Sequence, residues 1–173
     1  SDDLVLPTAH RLNAGLDRVV TKNGRVTLNY SFGWGRDLLR GRNLNAPVDG
    51  VRPDAAFANT VALVADAESR THVVNVGYNF VRMDWKRTFF SANYTLSRND
   101  TNTTGAFSLP AGGDHLGSEW GPASNDVRHR VGAAFSTQPM KNMTFGLNVR
   151  VQSGMPYNVT TGRDDATPAL ELA

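Results

Sequence analysis

Hydrophobic and polar residues alternate with a period of two along much of this chain. From Val26 the even positions read Val26, Leu28, Tyr30, Phe32 and Trp34, and the intervening ones read Thr27, Asn29, Ser31 and Gly33. Successive side chains of a strand point to opposite faces, so the segment is predicted to be a strand with one apolar and one polar surrounding. The same pattern sets Val74, Val76, Tyr78 and Phe80 against Asn75, Gly77 and Asn79, and Phe90, Ala92, Tyr94 and Leu96 against Ser91, Asn93 and Thr95. It recurs in Val131, Ala133 and Phe135 against Arg130, Gly132, Ala134 and Ser136. The cleanest case is Met143, Phe145, Leu147, Val149 and Val151 against Thr144, Gly146, Asn148, Arg150 and Gln152. A weaker strand over Arg11–Val20, with Leu12, Ala14 and Leu16 on one side, brings the prediction to six.

The connections alternate in length. Thr21-Lys22-Asn23-Gly24 holds an Asn-Gly pair, which favours a tight hairpin because both residues tolerate positive φ. Met83-Asp84-Trp85-Lys86 and Gln138-Pro139-Met140-Lys141-Asn142 are similarly short. Two long connections, Arg36–Thr71 and Arg98–Asp126, lie between them, and the first has room for an extra ribbon around Asn59–Ala65. Short turns alternating with long loops are the rhythm of an up-and-down barrel in an outer membrane. The fold class predicted is all-β: an antiparallel meander forming part of a transmembrane barrel.

A soluble β-sandwich also alternates and is the alternative. Its polar face would meet water and carry many Lys and Glu, whereas here that face carries Asn, Ser, Thr, Gly and some Arg. Such a face suits a polar lumen. The lumen-facing candidates are Asn75, Asn79, Asn93, Arg128, Arg130, Asn148, Arg150 and Gln152, on which a ligand would be read. Arg128, Arg130 and Arg150 share a parity, so pairing of the last two strands would let their guanidiniums converge to attract anions or an acidic protein surface. Structural ion pairs along a wall are the simpler reading. Aromatic residues near strand ends (Tyr30, Phe32, Trp34, Tyr78, Phe80, Tyr94, with Trp85 at a short turn) match an interfacial girdle.

Composition narrows the chemistry. The 173 residues carry 18 Lys+Arg against 16 Asp+Glu, a net charge of +2, which gives no basic excess for nucleic acid. Cysteine is absent, which removes disulfides, thiolate metal sites and cysteine nucleophiles. No apolar run approaches the roughly 20 residues of a membrane helix, since Val61–Ala65 is cut by Asp66. The acidic start Ser1-Asp2-Asp3 is unlike a secretory leader, so either export information has been removed or the chain is an internal piece.

Catalytic motifs are thin. His10, His72, His115 and His129 are scattered without metal-ligand spacing and read as strand-end or loop histidines. Asp100–Gly105 faintly resembles the start of a calcium loop, but Ala111 stands where the closing Glu belongs, so a solvated loop tip is expected. Gly162-Arg163-Asp164-Asp165 is better read as turn chemistry than as a carboxylate pair, and Gly33-Trp34-Gly35 lies in a strand rather than a phosphate loop. No catalytic residue, metal or cofactor is expected.

Longer runs carry a resemblance. Ser69–Tyr78, Phe90–Ser97, Gly33–Asn45 with its Gly-Arg-Asp-Leu-Leu-Arg core, Glu119–Pro122 leading into Asp126–Arg130, and Ser153–Asp165 resemble late barrel segments of TonB-dependent outer-membrane receptors. The likeness is to the Oar-like group with a carboxypeptidase-regulatory-like N-terminal domain, and it covers about Pro7–Asp165. It implies a 22-stranded barrel closed by a plug, importing a scarce nutrient across the outer membrane of a Gram-negative bacterium with energy passed through TonB. The partners implied are outer-membrane lipid, the remaining barrel, the plug, and TonB through an N-terminal part. Six strands cannot close such a barrel. Residues 1–165 are therefore expected to be a barrel fragment and residues 166–173 an atypical tail.

Overall fold

The computed structural model describes residues 5–47, 51–109 and 116–157. Six long strands form an antiparallel meander: β1 (Thr8–Thr21), β2 (Gly24–Asn43), β3 (Val61–Arg82), β4 (Thr88–Thr101), β6 (His129–Met140) and β7 (Met143–Gln152). A two-residue strand, β5 (Gly121–Pro122), pairs with the far end of β4, and a single 3₁₀ turn spans Leu116–Glu119. All belong to one open sheet in the order β1-β2-β3-β4-β6-β7. Every long strand thus neighbours the long strand before it, and the expected all-β, up-and-down architecture is observed.

Register carries the alternation across the sheet. Leu16 pairs with Leu28, Leu28 with Val76, Val76 with Tyr94, Tyr94 with Val131 and Val131 with Val151, forming one continuous apolar row. A slip of one residue would throw every such side chain to the polar face, so the pattern fixes the register. Nothing covers the apolar face: among the described residues the buried hydrophobics are Ala67, Ala123 and Val127, whereas Leu12, Leu16, Leu28, Val76, Leu147 and Val151 are exposed. A sandwich would bury this face under a second sheet; the described residues supply none.

The strands run further than alternation predicts. β2 and β3 have 20 and 22 residues, roughly twice the 9–11 needed to cross a bilayer at the usual tilt. The expected long connection over Arg36–Thr71 is in fact largely strand: after a bulge between Gly35 and Leu38, where Asp37 takes φ 55, residues Leu38–Asn43 pair with Val61–Ala67. The predicted ribbon near Asn59–Ala65 is this extension. Its sequences, Leu-Leu-Arg-Gly-Arg-Asn and Val-Ala-Leu-Val-Ala-Asp-Ala, do not alternate because neither face meets a uniform surrounding there.

Turn chemistry differs in one detail. The hairpin at Lys22–Asn23 forms as predicted, but neither Asn23 nor Gly24 takes positive φ. Gly24 is required instead by close approach: a Cβ there would stand 2.6 Å from Thr21 Oγ1 and 2.7 Å from Tyr78 Oη. In the other short turns the left-handed residues are Arg87 (φ 43) and Asn142 (φ 63).

Candidate functional site

Two surfaces carry the chemistry, the polar face and a cap built from the long connections. On the polar face the predicted residues fall into rows. Asn79 shares a row with Arg25, Ser91, Ala134 and Asn148. The next row holds Asp17, Thr27, Gly77, Asn93, Gly132 and Arg150, and the one beyond holds Gly15, Asn29, Asn75, Thr95, Arg130 and Gln152. The face is knitted laterally: Thr95 Oγ1 donates to Asn75 Oδ1 at 2.6 Å. Asn93 lies across Gly132 so closely that a Cβ there would meet its Oδ1 at 2.5 Å. Small residues on one strand therefore make room for amides and hydroxyls on the next.

Arg130 and Arg150 are diagonal neighbours, since Arg130 pairs with Gln152, two residues on from Arg150. Such positions have backbones about 7–8 Å apart, within reach for long side chains. Both are exposed, and neither has an ion-pair partner among the described residues. Arg128, just before β6, is tied differently: its Nη2 reaches Asp126 Oδ2 at 3.4 Å, and its Nε is buried without a partner. The structure therefore brings two of the three arginines together as free cations and commits the third to the cap. Parity also puts Arg11, Asp17 and Arg25 on this face; the same alternation rule could have nominated them.

The cap buries polar groups. Arg40, 3% exposed, forms a two-pronged pair with Asp66, through Nε to Oδ1 and through Nη2 to Oδ2 at 2.8 Å. This hydrogen bond to Arg40 is the main cause holding the Asp66 carboxyl below its ordinary value, with the charges of Arg40 and Arg42 adding to it against the opposing effect of burial. Asn45 is also 3% exposed; its Nδ2 donates to the carbonyls of Asp54 (2.8 Å) and Phe57 (2.6 Å), and its Oδ1 accepts from Asp54 N–H at 2.7 Å. The second long connection docks on the first, with Gly41 N–H donating to Ser108 O at 3.2 Å. Asp126 accepts from Asn99 N–H, and Ser97 Oγ donates to Val127 O at 2.6 Å. Asp100 is not in a solvated loop tip as expected: it is the last residue but one of β4, is 7% exposed and accepts from Arg98 Nε at 2.6 Å. Ala111, His115 and Gly162–Asp165 lie outside the described residues, as does the tail 166–173.

The three described histidines share a position. His10, His72 and His129 each stand on the apolar face where it turns polar toward the cap. His72 Nδ1 lies 2.9 Å from Tyr30 Oη and His129 Nδ1 lies 2.8 Å from Tyr94 Oη, so the same diagonal Tyr–His pair occurs twice. The boundary they mark slopes. His129 pairs with Leu96, four residues below Asp100, which shares the row of His10. Four residues along and four strand spacings across correspond to about 35° from the perpendicular to the strands. On the opposite border Tyr78, Phe90, Phe135 and Phe145 descend in the same sense, with ring centroids 6.2 and 6.4 Å apart within neighbouring pairs.

No family model and no curated protein matches the chain. Among solved structures, the outer membrane transporter YddB from Escherichia coli is similar to it at a TM-score of 0.67 and 13% identity, over 88% of this chain and 21% of that one. The chain thus spans about a fifth of that transporter's length. Likeness at this identity is likeness of fold, and it agrees with the exposed, sloping apolar band: the chain has the fold of a segment of an outer-membrane transporter barrel.

Proposed function

We propose that this chain is a wall segment of a TonB-dependent outer-membrane receptor of the Oar-like type, which takes up a nutrient ligand in a Gram-negative bacterium. The observation that carries the reading is the band of exposed apolar side chains that crosses all six long strands on a slope of about 35° from their perpendicular, so that the strands tilt by that angle from the normal of the band, as barrel strands tilt by roughly 35–45° in outer membranes. In water such a face would be a large uncovered apolar patch; in a bilayer it is matched to its solvent. The short turns then lie on the periplasmic side and the cap outside.

On this reading Asn75, Asn79, Asn93, Arg130, Asn148, Arg150 and Gln152 line the lumen, while Arg128, tied to Asp126, belongs to the cap. The Arg130–Arg150 pair offers guanidiniums to an anionic group, on the ligand or on an acidic plug surface. The role is transport rather than catalysis. Further strands of the same barrel would pair with β1 and β7, whose residues are all exposed, and TonB would engage a plug-bearing N-terminal part. The test is the size and cell fraction of the native gene product. A species several times larger than 18.8 kDa in the outer-membrane fraction supports the proposal; a soluble monomer of that mass overturns it.

A further inference from the structure

The chain has three lysines, Lys22, Lys86 and Lys141, and each sits in one of the three short turns. These turns form one continuous rim. Val81 N–H at the end of β3 donates to Asn23 O of the first turn at 2.9 Å, and Gln138 N–H beside the third turn donates to Lys86 O of the second at 2.7 Å. Arg82 and Arg87 add two more cations. Among the described residues one carboxylate of the short turns stands against these five, Asp84, which is paired with Arg82 at 2.6 Å. Asp66, Glu68, Asp100, Glu119 and Asp126 all lie at the opposite end of the strands.

Apolar groups are interleaved with these cations. Met83, Trp85 and Met140 are 84%, 73% and 60% exposed. Lys86 Nζ stands 4.8 Å from the centroid of the Trp85 ring. Met143, next after Asn142, is the first residue of β7 and shares the apolar face with Phe145 and Leu147. Lysines whose stems can lie along apolar surface while the ammonium reaches a polar layer, beside an exposed tryptophan, are the composition of a membrane–water boundary. An acidic protein would meet the same charge, but the run of Met and Trp into the apolar band favours a lipid.

We infer that the short-turn rim binds the anionic headgroups of phospholipids, of the phosphatidylglycerol class, in the leaflet it faces. This rests on the barrel reading above and adds a lipid preference to it. Each ammonium would sit near a phosphate within a Debye length of the surface, so the preference weakens with salt.

The test uses the intact gene product, reconstituted in phosphatidylcholine vesicles with trace spin-labelled phosphatidylglycerol or phosphatidylcholine. The wild type is expected to hold phosphatidylglycerol about threefold more strongly at low salt, with the ratio falling toward one in high salt and in the variant K22Q/K86Q/K141Q. Equal association of both lipids with the wild type, or a preference unchanged by the triple substitution, would overturn the inference and redirect the rim toward an acidic protein. If the variant fails to incorporate, the salt dependence of the wild type decides. Vesicle flotation separates the two levels: a wild type that floats with no vesicle at all overturns the barrel reading itself, and this inference with it.

Discussion

The two ends of the sheet are built on different principles. Toward the short turns the strands need only alternate: apolar side chains go to one face, small and polar ones to the other, and few polar groups are buried. Toward the long connections the alternation stops and specific pairs take over, with Arg40, Asn45, Ser97, Asp100 and Asp126 buried and, apart from Arg40 Nη1 and Asp100 Oδ1, every side-chain oxygen and nitrogen on them matched to a partner. The first end is held by the solvent on each face. The second is held by its own hydrogen bonds; on the proposed reading it projects past the apolar band into water, where backbone and charges must be satisfied locally.

The largest effect should come from reversing the faces at the first end. Val76→Arg, in the middle of the apolar row, should destabilise the intact barrel in lipid by about 2–4 kcal/mol, while Asn75→Arg one residue away should change it little. Denaturant unfolding in phospholipid vesicles reads both, and equal costs would break the distinction between the faces.

At the other end, Arg40→Ala removes the partner of Asp66 and should loosen the ribbon Leu38–Asn43/Val61–Ala67 by about 1–3 kcal/mol while the lipid-embedded strands keep their stability. Limited proteolysis within 51–60 is the measurement. The same pair sets a pH dependence. Because Asp66 is held below its ordinary value of 3.8 in the folded ribbon, its contribution is complete above that value and is lost as pH falls through the lower folded one. Protease resistance should be flat from pH 7 to about 5 and fall in stronger acid; in Arg40→Ala this acid sensitivity should be gone.

Smaller changes sharpen the picture. Gly77→Ala places a Cβ 2.5 Å from Thr27 Oγ1, whereas in Gly33→Ala the nearest side-chain atom is Thr71 Cβ at 3.6 Å. The first should cost about 1–2 kcal/mol and the second close to nothing, read by the same unfolding assay. Tyr94→Phe, which removes the hydroxyl facing His129, should cost about 0.5–1.5 kcal/mol, and a value indistinguishable from zero would mean that the pair is decorative at this boundary.

This contrast also explains what the sequence disclosed. Parity placed Val76 and Asn75 on opposite faces and grouped Arg128, Arg130 and Arg150, of which the register makes only the last two neighbours, and the gaps between the alternating runs located the three short turns. The sequence offered a ribbon near Asn59–Ala65 but did not show that this ribbon is β2 and β3 themselves, continuing to Asn43 and from Val61, since a ribbon with mixed surroundings on both faces loses the period. Nor could it foresee Arg40 with Asp66, or Asn45 with Asp54 and Phe57. Those pairings join residues 9–26 positions apart, and no spacing rule encodes them. The Asn-Gly signal found the right turn for the wrong reason, for Gly24 serves a close approach to Tyr78 rather than a positive φ.

The central claim is that one face of this sheet meets lipid and the other a polar interior. Because the segment contains no cysteine, single cysteines can be introduced one at a time from Leu147 to Gln152 in the intact membrane-embedded protein, freed of any other thiol. Reactivity toward a membrane-impermeant, water-soluble thiol reagent is then compared with quenching by lipid-confined probes. The account predicts strict alternation: positions 147, 149 and 151 are reached from lipid and positions 148, 150 and 152 from water. Equal access of the water-soluble reagent to all six positions would contradict it.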